Sequence, residues 1–202
     1  MDFWNNQLTE KSWKILQELK GFSYILIGGW AAYLWTGLHK SKDIDIIVME
    51  YADLEYLKQR YDLKKNDNLK KYEIKIEEID IDIYVPHYSK FPIPPQDLGS
   101  HTARIQNFTV LNPEALLTLK LGAEKNREHS VKGEKDRIDI ITILLKAPVD
   151  LKKFRRLTEK YKLGDYPKRL RIIVQGFRDT NYLGITPAQL KKLRMEIIEK
   201  MR

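Results

Sequence analysis

Two short stretches in which aspartate alternates with isoleucine constrain this chain more than anything else in it. Asp43-Ile44-Asp45-Ile46-Ile47-Val48 and Ile79-Asp80-Ile81-Asp82-Ile83 both repeat with a period of two. That period belongs to a strand with one apolar face, because successive side chains on a strand point to opposite sides. Taken singly, an Asp-x-Asp strand is a solvated sheet edge. Here there are two, and 13 residues separate the first from Ile27-Gly28-Gly29. Glycines at a strand-to-helix turn let a phosphate approach the backbone, and the helix N-terminus behind them offers N–H groups and a positive dipole end. Aspartates at i and i+2 share a face, where their oxygens suit magnesium, a cation that also takes substrate phosphates as ligands. A pair of such metals stabilises both the attacking and the leaving oxygen of an in-line displacement. The second strand supplies a third carboxylate, Asp82 or Asp80, and spacing alone does not separate the two.

Around this constellation the pattern predicts a helix capped by Thr9 and running to about Leu19, a buried strand at Tyr24–Ile27 and a helix over Trp30–Trp35. Asp53–Arg60 reads as helical. Tyr72–Val85 is strand-like, but its apolar register slips from even to odd positions, which a turn or bulge at Glu77-Glu78 explains. Pro86–His101 reads as a loop and Arg104–Leu111 as one alternating strand. Asn112-Pro113-Glu114 joins an N-cap, a first-turn proline and an early acid, a strong helix start. That helix is expected to reach about Arg127, followed by helices over about Lys135–Lys146, Asp150–Lys162, Pro167–Arg178 and Pro187–Met201. Lys120 and Arg127, seven apart, fall on nearly one helical face, and Asp136 and Asp139, three apart, on another.

The order apolar residue, Gly28-Gly29, helix, Asp43-x-Asp45 resembles the nucleotidyltransferase superfamily, the polymerase-β-like fold. The resemblance covers residues 22–146 in pattern and is strongest over 27–46. It implies an α+β fold: a nucleotidyltransferase-like mixed β-sheet with flanking helices, followed by a helical C-terminal region. It implies a catalytic core at 1–111, helices completing the active site at 112–146, and a basic helical region at 147–202. By resemblance, Asp43, Asp45 and Asp82 (Asp80 as the alternative) are the catalytic acids and hold magnesium or manganese. An NTP sits over Gly28-Gly29, and its NMP passes to a hydroxyl acceptor with release of pyrophosphate. Asp82 is preferred because Ile83-Tyr84-Val85-Pro86 looks like the end of that family's third-carboxylate strand. Leu119-Lys120-Leu121, Arg127 and Lys135-Asp136-Arg137-Ile138-Asp139 look like the AbiEii-type branch, which includes toxins of toxin–antitoxin systems. That likeness implies that Lys120 and Arg127 bind the triphosphate, that Asp136 orders the site, and that a cognate antitoxin protein is a partner.

Charge narrows the acceptor. The 36 lysines and arginines exceed the 28 acids by eight, but residues 1–146 carry a net −1 and residues 147–202 a net +9. A basic helical lobe suits a nucleic-acid acceptor such as RNA or the 3′ end of a tRNA, and suits an acidic partner protein equally well. It argues against a cationic antibiotic as acceptor. A non-catalytic relative that binds nucleotide or a partner is the alternative from another class, and the complete set of acids favours activity over it.

Several classes are excluded. Without cysteine there is no disulfide framework, zinc ribbon or cysteine nucleophile. Four scattered histidines lack metal-ligand spacing. Gly21–His39 is uncharged over 19 residues, yet its apolar block ends at a diglycine, so it reads as strand–turn–helix and not as a membrane span. With no signal-peptide pattern at the N-terminus, a cytoplasmic location is expected.

Overall fold

The computed structural model describes residues 6–201. It divides between Asn112 and Pro113 into two units, a sheet unit and a helical unit.

In chain order the first unit consists of α1 (Asn6–Glu18), β1 (Ile25–Ile27), α2 (Gly28–Thr36), β2 (Ile44–Ile47), α3 (Tyr51–Arg60), β3 (Lys64–Asn66), β4 (Lys71–Ile76), β5 (Ile79–Tyr84), α4 (Pro95–Leu98), β6 (Thr102–Ile105) and β7 (Phe108–Leu111). The seven strands form one sheet in the order β3-β4-β5-β2-β1-β7-β6. β2 runs parallel to β5, and β1 parallel to β7, while the remaining neighbours are antiparallel. The sheet is therefore mixed, as expected.

The aspartate–isoleucine alternation forms the strands it implies. On β5, Ile79, Ile81 and Ile83 are buried and Asp80, Asp82 and Tyr84 are half-buried. Ile44 and Ile46 are buried beside them on β2. Parallel pairing sets Ile44 against Ile81 and Ile46 against Ile83, so the apolar set of one strand continues that of the next. Near the other end of the sheet the core is aromatic. Trp30 of α2 is fully buried, 5.0 Å from the Trp13 ring of α1, and Trp13 lies 5.7 Å from Phe108 of β7. The Trp30 indole N–H donates to the buried Ser12 hydroxyl at 2.9 Å, which satisfies a polar atom that would otherwise be costly there.

Four local expectations are revised. The first helix already includes Asn6, so Thr9 is not its cap. Thr9 is buried inside it and donates to the Asn6 carbonyl at 3.1 Å. The single strand expected over Arg104–Leu111 is a hairpin, β6 and β7, turned at Gln106 with φ of 53°. The stretch Pro86–His101 contains α4 and a 3-10 turn at Gly99–His101. β3 was not anticipated, because Lys64-Lys65-Asn66 has no apolar residue to show a period. The register slip at Glu77-Glu78 is a turn between β4 and β5, with Glu77 at φ 53°.

The second unit is helical: α5 (Pro113–Asn126), α6 (Val131–Lys146), α7 (Leu151–Lys160), α8 (Tyr166–Gly176) and α9 (Pro187–Lys200). Leu117 and Leu121 of α5, Ile140 and Ile141 of α6, Phe154 of α7, Leu170 of α8 and Leu190 of α9 belong to one buried cluster. The helices begin where side chains can accept the exposed first-turn N–H groups. Asp150 accepts from the amides of Lys152 and Lys153, Ser130 from that of Gly133, and Thr186 forms a reciprocal capping box with Gln189. No helix among the described residues is long and apolar enough to cross a membrane.

Candidate active site

β1 ends at Ile27 and α2 begins at once with Gly28, at φ +66°. Ile27 occupies the N-cap and gives no side-chain acceptor to the first turn. A Cβ on Gly28 would fall 2.7 Å from Cγ and 2.9 Å from Cβ of Asp45, inside van der Waals contact. One on Gly29 would fall 2.6 Å from the Ser41 hydroxyl oxygen. Both glycines are thus fixed by close approach, Gly28 to an acid and Gly29 to the buried Ser41. Register explains the first of these approaches, since Ile27 pairs with Asp45 across the antiparallel β1–β2 ladder.

The same ladder logic carries across the next strand. Asp45 pairs with Asp82 between parallel β2 and β5, and Asp82 pairs with Glu73 between antiparallel β5 and β4. Residues paired in register share a face, so Asp45, Asp82 and Glu73 form a row of carboxylates crossing three strands. Asp43 lies just before β2, and its negative charge reaches Asp82. Asp80 lies opposite Lys75 of β4. The structure therefore brings Gly28, Asp45 and Asp82 to one place, with Asp80 two residues further back along β5.

One cation sits in this row, and sequence reasoning missed it. Lys71, the first residue of β4, is only 12% exposed and contacts Asp82 Oδ2 at 2.6 Å and Glu73 Oε1 at 2.9 Å. The Asn66 side-chain amide donates to the same Glu73 oxygen at 3.0 Å. Lys71 directly precedes an alternating stretch, so only its neighbour across the sheet marks it. Burial lowers the proton affinity of Lys71, but the hydrogen bonds to Asp82 and Glu73 outweigh it and leave the ammonium more strongly protonated than usual. Asp82 moves the other way. Burial pushes its carboxyl above the ordinary aspartate value, Lys71 pulls it back, and the charges of Glu73 and Asp43 push it up again. The short contact establishes the pairing, and the upward direction at Asp82 records how deeply that acid lies. At Glu73 the Lys71 hydrogen bond prevails and holds the carboxyl below its usual range.

Among the described residues, no three acidic or histidine side chains converge closely enough to hold a divalent metal. The donor set of the carboxylate row nonetheless suits a hard cation, being oxygen throughout. The missing Cβ of Gly28 is what lets the Asp45 carboxylate lie against the glycine turn, and the ammonium of Lys71 serves as a positive charge against Asp82. Magnesium or manganese fits these residues in chemistry.

The other expected nucleotide contacts lie in the helical unit, where they pair with one another. Lys120 of α5 contacts Asp139 Oδ2 at 2.6 Å and Asp136 Oδ1 at 3.5 Å, both acids on α6 and both buried. Arg127, just past the end of α5, reaches Asp136 through Nε at 2.6 Å and Nη2 at 3.0 Å. The one-face spacing of Asp136 and Asp139 thus serves to grip a lysine. Lys120 is largely enclosed, whereas the Arg127 side chain keeps 41% of its surface exposed.

The net +9 of residues 147–202 is partly internal. Arg169 forms a bidentate pair with the fully buried Glu124, at 2.7 and 2.8 Å, and a further contact with Glu128. Arg155 donates to the Met201 carbonyl at 2.7 Å, and Arg194 to that of Val174 at 3.1 Å. Lys152, Arg156 and Lys160 lie on the exposed side of α7, opposite Phe154 and Leu157.

Comparison with known proteins agrees with the architecture. No family model matches the chain, and no curated protein matches it in sequence. Solved structures do. A Helicobacter pylori protein provisionally named a nucleotidyltransferase is 19% identical, with a TM-score of 0.53 over 98% of this chain and 94% of its own. JHP933 from Helicobacter pylori is also 19% identical, with a TM-score of 0.51 over 98% and 91%. An antigenic nucleotidyltransferase-like protein from Paracoccidioides brasiliensis is 16% identical, covering 90% of this chain and 98% of its own at a TM-score of 0.45. The likeness to the two Helicobacter pylori structures, each with a TM-score above 0.5, shows a shared fold.

Proposed function

We propose that this protein transfers a nucleoside monophosphate from an NTP to a hydroxyl acceptor, with a divalent metal ion as cofactor. The observation that carries this reading is the register Ile27–Asp45–Asp82, which sets a glycine turn at a helix start beside two strand carboxylates. A nucleotidyl-transfer site needs a place for phosphates, acids for metals and a base for the acceptor. The first turn of α2, at Gly28 and Gly29, has no side-chain cap from Ile27 and would offer its N–H groups to the triphosphate. Asp43, Asp45 and Asp82 would hold magnesium or manganese, which supplies charge neutralisation on the phosphates when bound. Asp82, in register with Asp45, is the acid placed to accept the proton of the acceptor hydroxyl. It takes the proton of the acceptor hydroxyl as that oxygen bonds to the α-phosphorus and the bond to the bridging oxygen breaks. Pyrophosphate leaves.

The in-register pairing of Asp82 with Asp45 favours Asp82 over Asp80 as the third acid. Roles for Lys120, Arg127 and Asp136 in nucleotide binding rest on the sequence resemblance, as does a toxin–antitoxin setting. The exposed cations of α7 support an RNA acceptor.

The experiment is incubation with labelled NTPs, magnesium and total RNA. Label is expected on RNA, and Asp43→Ala with Asp45→Ala is expected to abolish it. Absence of transfer, or equal transfer by the double variant, overturns the proposal. NTP binding without pyrophosphate release would instead identify a non-catalytic nucleotide binder.

A further inference from the structure

The carboxylate row carries a cation of its own, and this bears on how the site is controlled. Lys71 is not a surface lysine that happens to meet an acid. Its side chain is 12% exposed, Asp82 beside it is 18% exposed, and the ammonium bridges two acids paired in register on adjacent strands. Asn66 of the edge strand holds Glu73, the second of those acids, by a 3.0 Å hydrogen bond. Glu73 is therefore a fixed anchor at which the ammonium keeps one partner even when the other is taken away.

We propose that Lys71 is a displaceable counter-cation of the active site, which neutralises Asp82 until a divalent cation takes its place and then remains on Glu73. The inference rests on the reading of Asp45 and Asp82 as metal ligands, and adds to it a competition built into the chain. Asp82 presents one oxygen to Lys71 at 2.6 Å, so a cation arriving there must dislodge an ammonium already in contact. Two like charges so close, in a partly enclosed site, repel by an amount well above thermal energy. The resting protein thus holds its third carboxylate in a neutralised, ordered state, and metal occupancy carries an exchange cost that an NTP-borne metal with its added phosphate contacts can meet.

The test is direct binding of Mn2+ to the full chain without nucleotide, read from the free-ion signal in electron paramagnetic resonance. Lys71→Met and Lys71→Gln both remove the charge, and circular dichroism verifies that each is folded. Either folded variant is expected to bind Mn2+ about tenfold more tightly than wild type, a conservative share of the repulsion removed. Adding Asp82→Asn is expected to cancel that gain. Unchanged Mn2+ affinity in the folded Lys71 variants overturns the proposal, as does a gain that survives Asp82→Asn or the absence of any Mn2+ binding. Lys71→Arg, which keeps the charge, is expected to bind like wild type. NMP transfer is assayed separately. Its absence alongside a confirmed Mn2+ exchange would refute the nucleotidyltransferase reading and leave the exchange standing.

Discussion

Substituting alanine for Gly28 separates two costs that usually arrive together. The first is conformational: Gly28 sits at φ +66°, where a residue with a Cβ costs about 1–2 kcal/mol. The second is steric. The new Cβ would lie 2.9 Å from Cβ of Asp45, so turning the carboxylate cannot cure the clash, and the backbone of β1 or β2 must give. Restoring ordinary carbon–carbon contact needs a shift of roughly 0.6 Å or more. The accompanying side-chain strain adds about 0.5–1.5 kcal/mol. Gly37 supplies the control, since it has φ +70° at the C-terminus of α2 and nothing within 4 Å of an added Cβ. Gly37→Ala is expected to cost only the conformational part, about 1–2 kcal/mol, and Gly28→Ala about 1 kcal/mol more. Urea unfolding measures both. Because the shift displaces Asp45, NMP transfer is expected to fall roughly ten- to a hundredfold in Gly28→Ala and to survive in Gly37→Ala. Equal stability losses in the two variants would refute the close approach of Gly28 to Asp45.

Other outcomes follow from the packing. Glu124→Gln leaves the guanidinium groups of Arg137 and Arg169 facing a neutral amide in a fully buried position, and is expected to cost about 3 kcal/mol by urea titration. Ser12→Ala orphans the Trp30 indole N–H and is expected to cost about 1–3 kcal/mol on the same assay. Burial pushes the Tyr24 hydroxyl up to about 12 from the usual 10.0. The unfolded chain therefore releases that proton first, and the stability Tyr24 gives below pH 10.0 drains away as pH rises toward 12. Alkaline unfolding followed by circular dichroism is expected to lose this part of its pH dependence in Tyr24→Phe.

The strands of the candidate site were legible because each alternation is a local signal with a local cause. Ile79, Ile81 and Ile83 had to face inward, and the slip before them had to be a turn or a bulge, of which the structure has the turn. What escaped depends on pairing between distant segments. Nothing in Lys64-Lys65-Asn66 resembles a strand, because that edge is held by the backbone ladder of β4. The hairpin at Gln106 had no glycine to announce it. Asp80 and Asp82 were indistinguishable by spacing, since residues two apart share a face, and the pairing across the sheet sets Asp82 opposite Asp45. Lys71 was invisible for the same reason: its meaning comes from Asp82, eleven residues away and one strand over. In the helical unit, the spacing of Asp136 and Asp139 correctly gave a shared face, but not that the face would close on Lys120.

The aromatic corner built around Trp13 and Trp30 has a further use. All four tryptophans of the chain precede residue 36, and none occurs from Pro113 onward, whereas tyrosine occurs on both sides of that boundary. Indole emission is therefore a private optical channel of the sheet unit. The helical unit is silent in it and visible only through far-ultraviolet dichroism and tyrosine. Denaturation followed in both channels at once reports whether the two units melt together. It also shows which of them a substitution such as Gly28→Ala or Glu124→Gln has loosened, with no label attached.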